Sequence, residues 1–114
     1  MSEECEIERI AAVLEDSTAR TILIETSHEP MSAQTLSERC DVSEPTVYRR
    51  LDDLRACDLL LERTKLDTDR GHHRMMYSTN LERLTVELRD GKLHLEIDRR
   101  EDMADRFTRL IEGM

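Results

Sequence analysis

The chain has 114 residues, with 26 acidic against 17 basic side chains and a formal net charge of −9. This length fits one domain and excludes large enzyme architectures such as the (β/α)₈ barrel, which needs about 250 residues. Apolar residues make up 38% of the chain and aromatic residues 3%. Because small domains bury a low fraction of their surface, this composition predicts a thin core and favours a partner subunit.

The sequence contains no apolar run of the roughly 18 residues that a membrane span requires. Its first ten residues, MSEECEIERI, are acidic, whereas a secretory signal begins with basic residues followed by an apolar stretch. We therefore expect a soluble, cytoplasmic protein that does not bind a membrane.

The basic residues are almost all arginine, since only Lys65 and Lys92 are lysines. Thermophile proteins tend to enrich Lys together with Glu, so heat adaptation does not explain this charge density. The Lys-poor, acid-rich composition resembles that of proteins from salt-accumulating halophilic archaea. An ordinary acidic bacterial protein is the alternative.

Two amphipathic helices are predicted before residue 30. The first carries apolar side chains at i, i+3, i+4 and i+7, namely Ile7, Ile10, Ala11 and Leu14. Asp16, Ser17 and Thr18 then offer capping oxygens for a second helix. Its stripe has the same spacing and consists of Ala19, Ile22, Leu23 and Thr26. This helix should end near His28, because Pro30 disfavours helical backbone in the residue before it.

Two shorter helices joined by a turn of about three residues follow, which is the pattern of a helix-turn-helix. Ser32 is predicted to cap the first, whose apolar positions are Ala33, Leu36 and Cys40. The turn contains Asp41, a residue type that tolerates left-handed backbone. Ser43 is predicted to cap the second helix, with Pro45 in its first turn. The buried stripe of this second helix is expected to be Val47, Leu51 and Leu54.

The rest of the chain predicts two hairpins and a last helix. Residues 61–66 and 74–79 have strand character and flank the polar stretch DTDRGHHR. Further along, Asp90-Gly91 separates two alternating apolar runs, which is a strong hairpin signal. These runs consist of Leu84, Val86 and Leu88, and of Leu93, Leu95 and Ile97. A helix over about residues 100–112 would carry a stripe of Met103, Phe107, Leu110, Ile111 and Met114.

The segment MSAQTLSERCDVSEPTVYRRLDDLRACDLL closely resembles the helix-turn-helix core of ArsR-like winged-helix transcription regulators, in particular the compact archaeal ones. The Asp-Gly hairpin and the segment REDMADRFTRLIEG resemble the C-terminal part of haloarchaeal members. The resemblance implies an α+β fold: a winged helix-turn-helix with a wing hairpin, a second C-terminal β-hairpin and a terminal dimerisation helix. Residues 1–80 would form the DNA-binding domain and residues 81–114 the hairpin and dimerisation helix, within one compact unit.

The second helix of the helix-turn-helix is the predicted recognition helix. Thr46, Arg49 and Arg50 are expected to point outward near its start, where such a helix meets base edges in the major groove. Arginine binds guanine with two hydrogen bonds, and the threonine methyl contacts thymine. The alternative for the two arginines is ion pairing with Asp52 and Asp53.

Four polar residues complete the DNA contacts predicted around the helix-turn-helix. Tyr48 either donates its hydroxyl to a phosphate or packs at the helix edge. Ser32, Gln34 and Ser43 lie at helix starts, where free backbone N–H groups favour a phosphate oxygen. For Ser32 and Ser43, simple helix capping is the alternative.

The wing hairpin is expected to contact the minor groove or the phosphates of double-stranded DNA. The candidate residues are Lys65, Arg70, His72, His73 and Arg74. Net charges of −6, −1 and −2 for residues 1–31, 32–80 and 81–114 show that the DNA-binding segment is nearly neutral. Bulk attraction to phosphate should therefore be weak, which predicts a flatter salt dependence of DNA affinity than an ordinary repressor shows.

Metal binding and catalysis find little support in the sequence. The resembled family includes metal-responsive repressors with paired cysteines before the recognition helix, but SERCDV supplies only Cys40, for which packing is the favoured role. Cys5, Cys40 and Cys57 form no C-x-x-C pair, and His72-His73 have no spaced partner. With three glycines and no phosphate loop, we expect no enzyme activity and no cofactor.

The C-terminal stripe is predicted to form a homodimer contact, and packing on the first helix of the same subunit is its alternative. A two-fold dimer would place two recognition helices about 34 Å apart and predicts a pseudo-palindromic operator. The rival functions are a winged-helix module that binds protein instead of DNA, and a metal- or redox-gated repressor.

Overall fold

The structure, a computed structural model, describes residues 3–67 and 72–101. Four helices come first: α1 (Glu3–Glu15), α2 (Ser17–His28), α3 (Ala33–Cys40) and α4 (Glu44–Ala56). Four strands follow: β1 (Leu60–Asp67), β2 (His72–Thr79), β3 (Leu81–Arg89) and β4 (Lys92–Arg99). The predicted α+β class is confirmed. The stripe of the predicted terminal helix lies outside the described residues.

Three of the four helices begin at the capping residues that the sequence predicted. Asp16 caps α2 by accepting a 2.9 Å hydrogen bond from the backbone N–H of Ala19. Ser32 and Ser43 cap α3 and α4 by accepting bonds of 3.2 and 3.4 Å from backbone N–H groups three residues on. Each cap satisfies a donor that the first turn of a helix leaves without an intrahelical partner.

Both helices of the helix-turn-helix end at an aspartate with left-handed backbone. Asp41 has φ 55° after α3, which allows the chain to reach the start of α4 within three residues. Asp58 has φ 58° after α4, where Leu59 N–H donates to Leu54 O and Asp58 N–H donates to Arg55 O, both at 2.9 Å. These paired bonds satisfy the last carbonyls of α4 and turn the chain into β1.

The core lies between the helices and the base of the first hairpin. All four stripe positions predicted for α2 and all three predicted for α4 are buried. The α1 stripe differs from the prediction: Ile10 and Val13 are buried, whereas Ala11 is exposed. The reason is that α1 packs against both α2 and β4, and spacing within α1 does not reveal which of its sides these elements cover. No described helix is long and apolar enough to cross a membrane.

Strands β1 and β2 form an antiparallel wing that is joined to the start of α3. The register pairs Leu60 with Thr79 at the base of the wing. Met31, just before α3, exchanges two backbone hydrogen bonds with Tyr77 of β2, at 2.8 and 2.9 Å. Since Met31 and Tyr77 are both buried, the wing is anchored in the core at this point.

Strands β3 and β4 form the second predicted hairpin. Its two-residue turn has positive φ at both Asp90 (52°) and Gly91 (73°), the geometry that a type I′ turn requires. The register pairs Leu88 with Leu93 next to the turn. At the other end of the hairpin, β4 packs against α1, with Leu95 and Ile97 against the core.

One buried residue joins the wing, the second hairpin and the end of α4. Asn80 is fully buried between β2 and β3, and its Nδ2 donates to Asp58 O at 3.1 Å. Its Oδ1 accepts from Glu101 N–H at 3.0 Å, and its backbone bonds to Leu59 and Arg100. The Arg99 side chain donates to the same Asp58 carbonyl at 2.9 Å, so the hairpin is held at the C-terminal end of α4.

Candidate nucleic-acid interface

The surface of α4 opposite its buried stripe is the candidate recognition face. Val47, Leu51 and Leu54 turn inward, and at 100° per residue Arg49 then lies on the far side of the helix. Arg49 is exposed, and no carboxylate of the described residues lies within ion-pair distance of it. This side chain is therefore available to an external anion or base edge.

Arg50 occupies a different environment from its neighbour. Its Nε lies 2.9 Å from Asp16 Oδ2 at the start of α2, and its Nη1 donates to Asp53 Oδ2 at 2.9 Å. The Nε atom is buried and its contact with Asp16 is an ion pair without good hydrogen-bond direction. The alternative of ion pairing with Asp53 is thus present, and DNA contact by Arg50 would require these pairs to break.

The polar residues at the helix starts are occupied in caps. Ser32 is buried, and its hydroxyl also donates to Thr35 Oγ1 at 3.1 Å. The hydroxyls of Ser43 and Thr46 lie 3.0 Å apart, with Thr46 half-buried. The capping alternative is therefore present for both serines.

Gln34 and Tyr48 lie on the surface beside the helix-turn-helix. Gln34 is exposed near the start of α3. Tyr48 keeps 49% of its surface in solvent, next to the recognition face of α4. Both side chains are accessible to DNA that approaches this face.

The wing carries a basic face that the sequence reasoning identified only in part. Arg63, Lys65 and Arg74 lie on the same side of the β1–β2 hairpin, since Lys65 pairs with Arg74 and side chains two residues apart share a face. All three are exposed, and none has an ion-pair partner among the described residues. Arg63 was missed, although the two-residue strand period from Lys65 could have identified it.

The remaining wing candidates are placed less completely. His73 is exposed on the opposite side of the hairpin, where its partner in the register is Leu66. His72 begins β2, but its side chain is not described. Arg70 lies outside the described residues.

Several acidic residues near α4 are in ion pairs that offset part of their negative charge. Arg55 lies 3.1 Å from Glu62 of β1 and 3.7 Å from Asp52 of α4. Asp53 is paired with Arg50. These pairs reduce the negative charge that would otherwise repel phosphate near α4 and the base of the wing.

The described cysteines do not form a metal centre. Cys40 and Cys57 are half-buried free thiols, and burial raises the pKa of both. Among residues 3–67 and 72–101, no group of three or more His, Cys, Asp or Glu side chains is arranged to hold a metal ion. A cleft of about 340 Å³ between α1, α2 and α4 contains Arg9, Arg50, Asp16 and Asp53, so its charges balance.

The comparisons with known proteins agree with this architecture. Residues 14–63 match the family model described as a helix-turn-helix domain. The crystal structure of NolR from Sinorhizobium fredii is similar, with a TM-score of 0.55 and 21% sequence identity over 68% of this chain and 71% of that chain. No curated protein shows significant sequence similarity. Residues 14–63 are therefore similar to a helix-turn-helix domain, within a chain that has the winged-helix fold.

Proposed function

We propose that the protein is a sequence-specific DNA-binding transcription regulator that acts as a homodimer in the cytoplasm, without catalysis. Helix α4 would enter the major groove, and the β1–β2 wing would contact the flanking groove or phosphates. The helix-turn-helix family match and the winged-helix fold support this role.

The observation that carries the proposal is the distribution of unpaired cations. Six arginines of the described chain are in ion pairs with carboxylates: Arg39, Arg50, Arg55, Arg89, Arg99 and Arg100. By contrast, Arg49 on α4 and the wing cluster of Arg63, Lys65 and Arg74 have no such partner among residues 3–67 and 72–101, which on other elements is also true of Arg9, Arg20, Arg83 and Lys92. In a protein with a net charge of −9, free cations on both reading elements favour an anionic ligand.

The division of work between Arg49 and Arg50 follows from their surroundings. Arg49 is proposed to read a base edge, where a two-bond contact to guanine contributes about 1–3 kcal/mol of discrimination. Arg50, held between Asp16 and Asp53, would keep α4 in position against α2. The caps and surface residues Ser32, Gln34, Ser43, Thr46 and Tyr48 would contribute phosphate or edge contacts.

A gel-shift comparison on promoter DNA recovered by genome-wide binding-site mapping tests this proposal. Arg49→Ala is expected to weaken operator binding about 10-fold or more, whereas Arg50→Ala should act mainly on folding stability. Arg83→Ala is the matched control, because Arg83 is exposed on β3 outside the proposed interface. An operator affinity that does not depend on Arg49 would support the rival protein-binding module instead.

The dimer of the proposal rests on the C-terminal stripe that the sequence predicted. Met103, Phe107, Leu110, Ile111 and Met114 lie outside the described residues. The double substitution Phe107→Glu/Leu110→Glu is expected to give monomers with weakened DNA binding, as measured by light scattering and gel shift. A double variant that stays dimeric would refute the assignment of this stripe.

A further inference from the structure

The cleft between α1, α2 and α4 has the size of a small-molecule site. Its volume is about 340 Å³. Ligand pockets in proteins usually measure about 300–1,000 Å³ and combine apolar walls with a few charged or polar groups. We call this space the α1–α4 cleft. Its volume favours a small ligand, and the chemistry of its lining indicates the class.

The two ends of the α1–α4 cleft are formed by residues of α1 and α4 that lie across from one another. At one end Asp16, which follows α1, lies 2.9 Å from Arg50 Nε. At the other end, burial raises the pKa of the Cys57 thiol, and the nearby Arg9 guanidinium opposes that shift. The distance along α1 from Arg9 to Asp16 is about 10 Å. The cleft is therefore short, with a cation of α1 at one end.

Arg9 and Asp53 are the charged groups of the cleft that can accept a further partner. Arg9 is exposed, and no carboxylate among residues 3–67 and 72–101 lies within ion-pair distance of it. Asp53 Oδ2 accepts a 2.9 Å hydrogen bond from Arg50 Nη1, whereas its Oδ1 has no partner within the described part of the chain. The α1 wall thus offers a cation and the α4 wall offers a carboxylate oxygen.

Arg50 gives an independent indication of a ligand. Its Nε atom is buried and has no hydrogen-bond partner among the described residues, although Asp16 lies beside it. The large majority of buried polar side-chain atoms in proteins are hydrogen-bonded. A buried donor without an acceptor, on a residue that lines a cleft, favours an oxygen from outside the chain as its partner.

The signs of the charges in the cleft select the class of ligand. Asp16 and Asp53 would repel a simple anion. Arg9 and Arg50 would repel a simple cation. A zwitterion avoids both repulsions, because its carboxylate can pair with Arg9 and its ammonium group with Asp53. The apolar part of the lining consists of Ala12, Val13, Ala19 and Ala56. This lining suits an aliphatic side chain between the two charged contacts.

We propose that the α1–α4 cleft binds a free α-amino acid with a small aliphatic side chain, which regulates DNA binding. The ammonium group would compete with Arg50 for the Asp53 carboxylate and so disturb the contact of Arg50 with Asp16, which joins α4 to α2. The amino acid should therefore lower operator affinity, and DNA should lower amino-acid affinity by the same factor. The regulatory role rests on the proposed function, whereas the ligand site does not.

Titration calorimetry on the full-length protein without DNA tests the ligand site. The probes are L-alanine, L-valine and L-leucine, and at least one should bind with a dissociation constant below about 1 mM. Its amide derivative lacks the carboxylate, and the matching carboxylic acid lacks the ammonium group. Each analogue should bind at least about 10-fold more weakly, since it loses one charged contact. If none of the three amino acids binds, or if an analogue binds equally well, the proposal is overturned.

Two variants separate loss of the site from loss of structure. Arg9→Ala removes an exposed side chain and should weaken amino-acid binding by about 10-fold, whereas the control Arg83→Ala should not. Asp53→Asn should weaken binding of the amino acid and strengthen binding of the carboxylic acid analogue, a reversal that unfolding cannot produce. An Arg9→Ala variant that binds the amino acid as wild type does overturns the proposal.

A gel shift on promoter DNA with saturating amino acid tests the regulatory role. Operator affinity of the wild type should fall by at least about 5-fold, and that of Arg9→Ala should fall less. Amino-acid binding without any effect on operator affinity overturns the regulatory role. A protein that binds the amino acid and no promoter DNA supports the ligand site and contradicts the proposed function alone.

Discussion

Asp16 and Arg50 connect the start of α2 to the recognition helix. Asp16 Oδ1 accepts the capping bond from Ala19 N–H, while its Oδ2 lies 2.9 Å from Arg50 Nε. The Asp16 carboxylate therefore caps the N-terminus of α2 and also holds α4 beside it through Arg50. The two residues are 34 positions apart in the sequence, so this contact is a product of the tertiary fold.

The double role of Asp16 predicts a graded loss of stability. Asp16→Ala removes the cap and the charge, and should lower the free energy of unfolding by about 1–2 kcal/mol. Asp16→Asn keeps a capping oxygen and loses the partly exposed ion pair, which contributes less than about 1 kcal/mol. Urea denaturation of both variants measures the difference. Equal losses for Asn and Ala would show that the cap contributes nothing.

The basic face of the wing predicts how DNA affinity responds to salt. If Arg63 and Lys65 each contact a phosphate, replacing either with Ala should reduce the slope of log affinity against log salt by about one. Operator titrations over a series of salt concentrations provide the measurement. Arg83→Ala, an exposed strand arginine on the other hairpin, is the control. If Arg83→Ala lowers the slope as much as the alanine variants of Arg63 and Lys65 do, the proposed phosphate contacts of these two wing residues are wrong.

The buried amide of Asn80 predicts a large effect from a small substitution. Asn80→Ala leaves the Asp58 carbonyl without its amide donor and Glu101 N–H without its acceptor. The Asp58 carbonyl keeps its bond from Arg99, so Glu101 N–H is the group left without a partner, and the free energy of unfolding should fall by about 1–3 kcal/mol. Ser78→Ala, two residues earlier in half-buried surroundings, is the matched control for denaturation measurements. If Ser78→Ala and Asn80→Ala lower the free energy of unfolding by similar amounts, the proposed stabilising role of the Asn80 hydrogen bonds is wrong.

Tyr77 predicts a pH dependence of stability at the alkaline end. Burial, followed by the nearby Glu62 carboxylate, raises the pKa of the Tyr77 hydroxyl above its ordinary value of 10.0. The protonated Tyr77 hydroxyl therefore makes its full contribution to stability below the tyrosine pKa of the unfolded chain. This contribution is lost as the pH rises through the higher pKa of the folded protein.

Urea denaturation between pH 8 and about pH 11 tests this prediction. The free energy of unfolding of wild type should fall above about pH 10, and Tyr77→Phe should fall less steeply. Tyr48→Phe, at a half-exposed position, is expected to follow wild type. Parallel curves for wild type and Tyr77→Phe would rule out Tyr77 as the source.

Local signals predicted most of the secondary structure. The capping oxygens of Asp16, Ser32 and Ser43 set helix starts, and Asp90-Gly91 set the second hairpin, because these preferences act within a few residues. The contacts of Met31 with Tyr77 and of Asp16 with Arg50 could not be predicted, since no local pattern records them.

The candidate site was predicted less completely than the fold. Spacing placed Arg49 and Arg50 together at the start of the recognition helix, yet the structure leaves Arg49 exposed and pairs Arg50 with Asp16 and Asp53. Which of two adjacent arginines is free depends on how the start of α2 lies beside α4. The two-residue strand period from Lys65 also places Arg63 on the basic face, whereas the basic residues of the loop DTDRGHHR indicated only the wing tip.

The backbone exchange between Met31 and Tyr77 has a thermodynamic consequence for DNA recognition. It ties the base of the wing to the segment that leads into α3, so the wing and the helix-turn-helix, the two parts of the proposed DNA interface, are held by the same core. Binding would then require little ordering of the wing base, and little conformational entropy would be lost there. Calorimetry should show a heat-capacity change explained by surface burial alone, without the larger change that accompanies folding on binding.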